Sequence, residues 1–128
     1  MDIAYEVANY LEDNNFGTVG VDIFVSTIPE EKEGIYIQRL GGNLSLYTPI
    51  NEAVLLIYIK DNSASSGVAT AESIKNFMHR MVSTTTSNSF IFTFLFISDV
   101  EDLGRDLENY NLYKLTLQVK YRASDIIS

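Results

Sequence analysis

Five carboxylates crowd one stretch near the end of the chain: Asp99, Glu101, Asp102, Asp106 and Glu108. Oxygen ligands this close could hold calcium or magnesium, or supply the acid and base of a hydrolytic pair. The spacing fits no EF-hand loop, because the central glycine and the closing glutamate are out of position. The stretch therefore reads as a solvated loop that contacts a partner. The alternative is a small enzyme or ligand-binding domain that uses the carboxylates of residues 99–108 around a pocket.

No other residue type gathers into a reactive set. His79 is the one histidine, set mid-helix among polar residues, and no second histidine four positions away completes a metal pair. It reads as a surface histidine. Serines and threonines cluster from Ser83 to Ser89 without a G-x-S-x-G elbow, which reads as a loop. Gly41, Gly42 and Gly104 stand outside any phosphate-cradling glycine pattern. The absence of cysteine excludes disulfides, thiolate nucleophiles and cysteine-ligated metals. No catalytic residue, metal ligand or cofactor is indicated, and the chain is expected not to be an enzyme.

The whole chain bounds what these residues can be part of. Its 128 residues are 46% hydrophobic and 20% charged, which suits one globular domain over residues 1–128. Seventeen acidic against nine basic side chains leave a net charge of −8. Phosphate backbones are repelled by such a surface, so sequence-specific nucleic-acid binding is not expected. The charge serves solubility, and a pore lined by acids would also let DNA slide without sticking. The start, MDIAYEVANYLED, has neither a basic segment nor an apolar core, and no run approaches the roughly 18 apolar residues of a membrane span. The expectation is a protein outside membranes, with the cytoplasm as its default compartment.

Periodicity supplies the elements. After Asp2, a good N-cap, the residues Ile3, Val7, Tyr10 and Leu11 recur at helical spacing, with Glu6, Asn9, Glu12 and Asp13 on the other side and an end near Asn14 and Asn15. Val19, Val21, Ile23 and Val25 predict a strand over about residues 18–26. The charged turn from Pro29 to Gly34 then leads into Ile35–Leu40, which reads as a β-hairpin. Residues 41–51 hold two glycines and Pro49 but also Leu44, Leu46 and Tyr47, and are expected to form a semi-ordered excursion.

Ala53 to Lys60 is apolar on both faces and must be internal to a sheet. Past a polar break at 62–67, Ile74, Phe77, Met78 and Met81 mark a second helix, with Glu72, Lys75, Asn76, His79 and Arg80 facing water. FIFTFLFI, residues 90–97, is uncharged and strongly β-prone, with Phe90, Phe92, Phe94 and Phe96 on one face. At an edge it would aggregate, so it is expected to be central and covered twice. The last strand turns Tyr113, Leu115, Leu117, Val119 and Tyr121 inward and Lys114, Thr116, Gln118 and Lys120 outward. The fold class is α+β: a mixed, mostly antiparallel sheet with two helices packed on one face. Of the tyrosines, Tyr36, Tyr47 and Tyr110 are expected to be exposed to a partner.

The helical start DIAYEVANYLED, the VDIFVSTIPE turn, the IYIKD strand, the ESIKNFM helix and the closing YKLTLQVKYRA strand together resemble the small tail-terminator proteins of long-tailed bacteriophages and the related minor capsid, or neck, proteins. The likeness covers nearly the whole chain. In such proteins the loop before the last strand reads proline, then Leu-Gly-x-Asp; Leu103, Gly104 and Asp106 match, and the proline is missing.

The resemblance implies a homohexameric ring that caps the tail tube, stops its polymerisation and joins it to the head-tail connector or stopper protein. Its partners would be its own copies, the major tail tube protein and the connector, with genomic DNA only passing through the lumen. It would sit in the virion tail or neck after assembly in the host cytoplasm. On that reading Tyr36, Leu44, Leu46 and Tyr47 are the intersubunit candidates. Glu30, Glu31 and Glu33 at the hairpin tip, with Asp99, Glu101, Asp102, Arg105, Asp106 and Glu108, are the candidates for tube or connector contact. A host-side regulatory binding module is the third reading.

Overall fold

A computed structural model describes residues 3–25, 33–44, 51–79, 82–85, 89–105 and 110–123, with the backbone alone at 41–44, 51, 82–85, 89–93, 122 and 123. The element order is α1 (Ile3–Asp13), β1 (Ile23–Val25), β2 (Gly34–Leu44), β3 (Asn51–Asp61), α2 (Ala64–Met78), β4 (Val82–Thr85), β5 (Ser89–Phe96), β6 (Glu101–Arg105) and β7 (Asn111–Ala123). The strands form one sheet in the order β1-β2-β3-β7-β5-β4, with β6 also paired to β7. All pairs are antiparallel except β1 with β2. The expected α+β class is the observed one.

Both helices cover the same face. Ile3, Val7 and Leu11 of α1 and Ala71, Ile74 and Met78 of α2 share one core with Ala53, Leu55, Ile57 and Ile59 of β3 and with Leu115, Leu117 and Val119 of β7. Strand alternation gives those sheet residues a common side. Tyr10 joins the helices to the sheet, its ring 5.9 Å from Phe77 and 5.6 Å from Phe94. The helix was expected to turn Glu6 to water, yet Glu6 is 3% exposed. Ala4 and Ala8 are buried as well, so α1 sinks a broader face than its large apolar stripe marks. On the opposite face Val54, Leu56, Tyr58, Thr116 and Gln118 are only half-buried.

Several expectations about the first half are corrected. The strand of residues 18–26 is reduced to Ile23–Val25, because the Thr18 carbonyl accepts the N–H groups of Val21, Asp22 and Ile23 and coils the chain into a turn. Val21 is consequently exposed. The hairpin is not formed either: Ile23 pairs with Ile35 and Val25 with Ile37, in parallel. A hairpin needs a tight reversal such as Asn-Gly, which the intervening residues lack. The segment between the strands is instead long enough, at about 3.3 Å per extended residue, to return to the end it left. The entry is close: the Ile35 N–H donates to the Asp22 carbonyl at 2.7 Å, and a Cβ on Gly34 would stand 2.7 Å from the same oxygen.

The described ends of the 41–51 excursion, residues 41–44 and Asn51, are sheet. β2 continues to Leu44, past a bulge between Arg39 and Gly41, and Leu44 pairs with Asn51. The polar break at 62–67 is mostly helix: the Ser63 side chain accepts the Ser66 N–H at 3.3 Å as N-cap, and Gly67 lies within α2. The helix ends at Met78; Met81 and Arg80 of its expected faces, like Asp2, fall outside the described residues.

In the second half, part of the serine and threonine cluster forms β4, which covers the outer edge of β5. β5 is therefore internal along that stretch. A bulge between Ile91 and Thr93 breaks the expected alternation, so that Ile91 pairs with Tyr121 while Phe94 and Phe96 pair with Val119 and Leu117. Phe94 and Phe96 are buried against the helices, Leu95 on the other face is half-buried, and Ile97 beyond the strand is 54% exposed. Double coverage does not extend to that end.

Candidate assembly interface

Over Glu101–Arg105 the supposed acidic loop is an interrupted continuation of β5. Glu101 pairs with Lys114 and Arg105 with Asn111, so β5 and β6 lie end to end along one side of β7. All five residues of β6 are exposed.

Its carboxylates diverge. Asp99 Oδ1 accepts Lys75 Nζ at 2.7 Å, and the same ammonium reaches Glu72 at 3.0 Å. Hydrogen bonding to Lys75 and to the Val100 N–H holds the Asp99 carboxyl below the usual carboxylate range, and the bond to Asp99 raises Lys75. Glu101 turns toward Lys114, 3.5 Å away, and Asp102 accepts the Gly104 N–H at 2.8 Å. Asp99, Glu101 and Asp102 thus turn to three different neighbours. Among the described residues no three metal-ligating side chains converge. Asp106 and Glu108 fall outside the described residues.

His79 is not a mid-helix surface residue. It caps the C-terminus of α2, its own N–H bonded to the Lys75 carbonyl, and its Nδ1 accepts the Phe96 N–H at 3.2 Å. With Lys75, Phe96, Ile97, Ser98 and Asp99 it lines an open hollow of about 330 Å³. No sequence signal marks this capping role, which depends on where β4 ends.

Tyr36 is likewise corrected: it is fully buried, stacked on Phe24 at 5.1 Å, and desolvation raises its hydroxyl pKa against the lowering influence of Lys60. Lys60 lies 4.9 Å above the half-buried Tyr110 ring. Both tyrosines belong to this cluster, and Tyr36 presents no surface to a partner. Leu44 lies on β2; Leu46 and Tyr47, with Glu30 and Glu31, fall outside the described residues.

Glu33 and the end of β6 come to the same end of the sheet. Glu33 accepts the Asn62 side-chain N–H at 2.6 Å, and Asn111, the partner of Arg105, donates to the carbonyls of Asp61 and Asn62. A cleft of about 180 Å³ opens there between Asp22, Glu33, Lys60, Asp61 and Thr70. The opposite end of the sheet holds Leu44, Asn51 and Ala123.

The chain matches the family described as bacteriophage tail terminator protein over residues 10–122. It belongs to that family. This tail-terminator family member is a structural protein of the phage tail. No curated protein matches it in sequence. Its fold is similar to a chain in the structure of the virion of the native gene transfer agent particle, at 13% identity and a TM-score of 0.52, with 94% of each chain covered. At that identity the likeness is one of fold.

Among the described residues, no helix is long and apolar enough to cross a membrane.

Proposed function

We propose that this chain is the working tail terminator: a single domain that closes into a hexameric ring, caps the tail tube, stops its growth and joins it to the head-side connector. The observation that carries the reading is the family match over residues 10–122. The diverging carboxylates of residues 99–102 fit contact and solubility better than acid-base work.

In such a ring the ends of the sheet face tube and connector, and its edges face neighbouring copies. Glu33 and Arg105, at one end, are the assigned axial contacts, with Glu30, Glu31, Asp106 and Glu108 adjoining them in sequence. Asp99 supports that surface by fixing the strand to α2 through Lys75. Leu44, at the opposite end of the sheet, serves contact between copies, with Leu46 and Tyr47 adjoining it in sequence. The negative lumen expected from a net charge of −8 leaves DNA free to pass.

Light scattering on the purified protein, alone and mixed with the tail tube protein, tests the reading. A discrete mass of several subunits, and rings in electron micrographs, are expected. A monomer in both conditions overturns it.

A further inference from the structure

β-sheet edges carry unpaired N–H and C=O groups, and monomeric proteins protect them with charge, short length or cover. Among the described residues, besides the outer edges of the end strands β1 and β4, an inner stretch on each side of this sheet is open. β1 covers β2 only over Ile35–Ile37, which leaves Gln38–Leu44 paired with β3 alone. On the far side, β4 covers β5 but does not extend to β6, which pairs with β7 alone.

Each open edge displays a large apolar side chain. Leu40, the extra residue of the β2 bulge and so unpaired with β3, is 64% exposed; Leu103, in the middle of β6, is 44% exposed. A bulge re-aims the residue it adds, and here it turns Leu40 to solvent. The net charges beside the two leucines are opposite: Arg39 is exposed on β2, while β6 exposes Glu101 and Asp102 against the single Arg105.

We infer that the β2 edge of one copy pairs with the β6 edge of the next, so that the partner is a second copy of this chain. Joining two different edges is a head-to-tail contact, which repeats and closes into a ring when the rotation allows. Within the chain β2 runs with β7, and β6 runs against both. Through β7 and β3, Leu103 lies near the level of Gly34, about five residues along β3 from the level of Leu40, so the strands tilt from the ring axis as those of a closed barrel do; their directions are kept and the new pair is antiparallel. Leu40 opposite Leu103 then sets Arg39 diagonal to Asp102 on the other face, within reach of a long side chain. The inference rests on the ring reading and adds which surfaces close the ring.

The chain has no cysteine, so a designed pair reports cleanly. Both leucines are exposed, and Leu40→Cys and Leu103→Cys leave the core intact. Oxidising the double variant is expected to give a ladder of covalent multimers on a non-reducing gel, with neither single variant cross-linking beyond trace. Light scattering of the unaltered protein, alone and with tube protein, is the control. An oligomer without a ladder overturns the edge pairing and leaves the ring reading standing. Covalent dimers from Leu103→Cys alone, without a ladder from the pair, overturn it in favour of β6 against its own copy. A monomer under both conditions overturns the ring reading and the edge pairing with it.

Discussion

His79 Nδ1 accepts the Phe96 backbone N–H at 3.2 Å, beside the point where β4 stops covering β5. The Ile97 N–H points the other way, to the Thr116 carbonyl on β7, so the Phe96 N–H faces the outer edge. One side chain completes a ladder that the neighbouring strand leaves short. His79→Ala is expected to cost about 1–2 kcal/mol, because a half-buried donor loses its partner. His79→Asn, whose amide oxygen can accept, should recover part of that. Urea unfolding of the two variants measures the difference.

Gly67 is a packing glycine. A Cβ there would meet Tyr113 Cε2 at 2.6 Å, and the Tyr113 ring is held by its hydroxyl donating to the Ala64 carbonyl at 3.2 Å. Alanine raises helix propensity by about 1 kcal/mol, whereas overpacking a fixed ring costs about 1–3 kcal/mol. Gly67→Ala should therefore be neutral to destabilising. Adding Tyr113→Leu should make the alanine favourable again, a reversal that thermal unfolding of the four combinations would register.

How much of this was legible depends on where each signal arises. β3 and β7 stand out because Ala53–Lys60 is apolar on both faces and Tyr113–Tyr121 alternates, and both patterns follow from burial alone. β4 carries the β-branched Val82, Thr84 and Thr85, a signal that the polarity of its neighbours hid. β6 has no such pattern, since a fully exposed acidic strand and an acidic loop have the same composition. The parallel β1–β2 pair, the burial of Glu6 and Tyr36, and the open edges depend on strand order and helix rotation, which tertiary packing sets. The candidate site was therefore legible as a charged region, and its division into ends and edges was not.

The Lys75–Asp99 pair sets a pH dependence at the acid end. Asp99 is held below its ordinary value chiefly by the Lys75 hydrogen bond. A lowered carboxylate stabilises the fold fully above the ordinary carboxylate range and loses that contribution as pH falls through the folded midpoint. Lys75, raised by the same bond, loses its share only as pH rises through its own folded midpoint, well into the alkaline range. In Lys75→Ala, a carboxyl NMR titration should find the Asp99 midpoint moved up. An unmoved midpoint would mean that the Val100 N–H alone sustains the shift.

Tyr36 sets the dependence at the alkaline end. Burial raises its hydroxyl pKa, and burial likewise raises that of Tyr113. A raised acid contributes its full stability below the ordinary tyrosine value and loses it as pH rises toward the folded midpoint, because the unfolded chain ionises first. Tyr36→Phe removes that ionisation while keeping the ring stacked on Phe24. The variant should lose stability less steeply with rising pH than the unaltered protein. Its ultraviolet titration should also lack one of the latest phenolate steps. Equal slopes in the two proteins would show that Tyr36 ionises in the folded state as easily as in the unfolded chain.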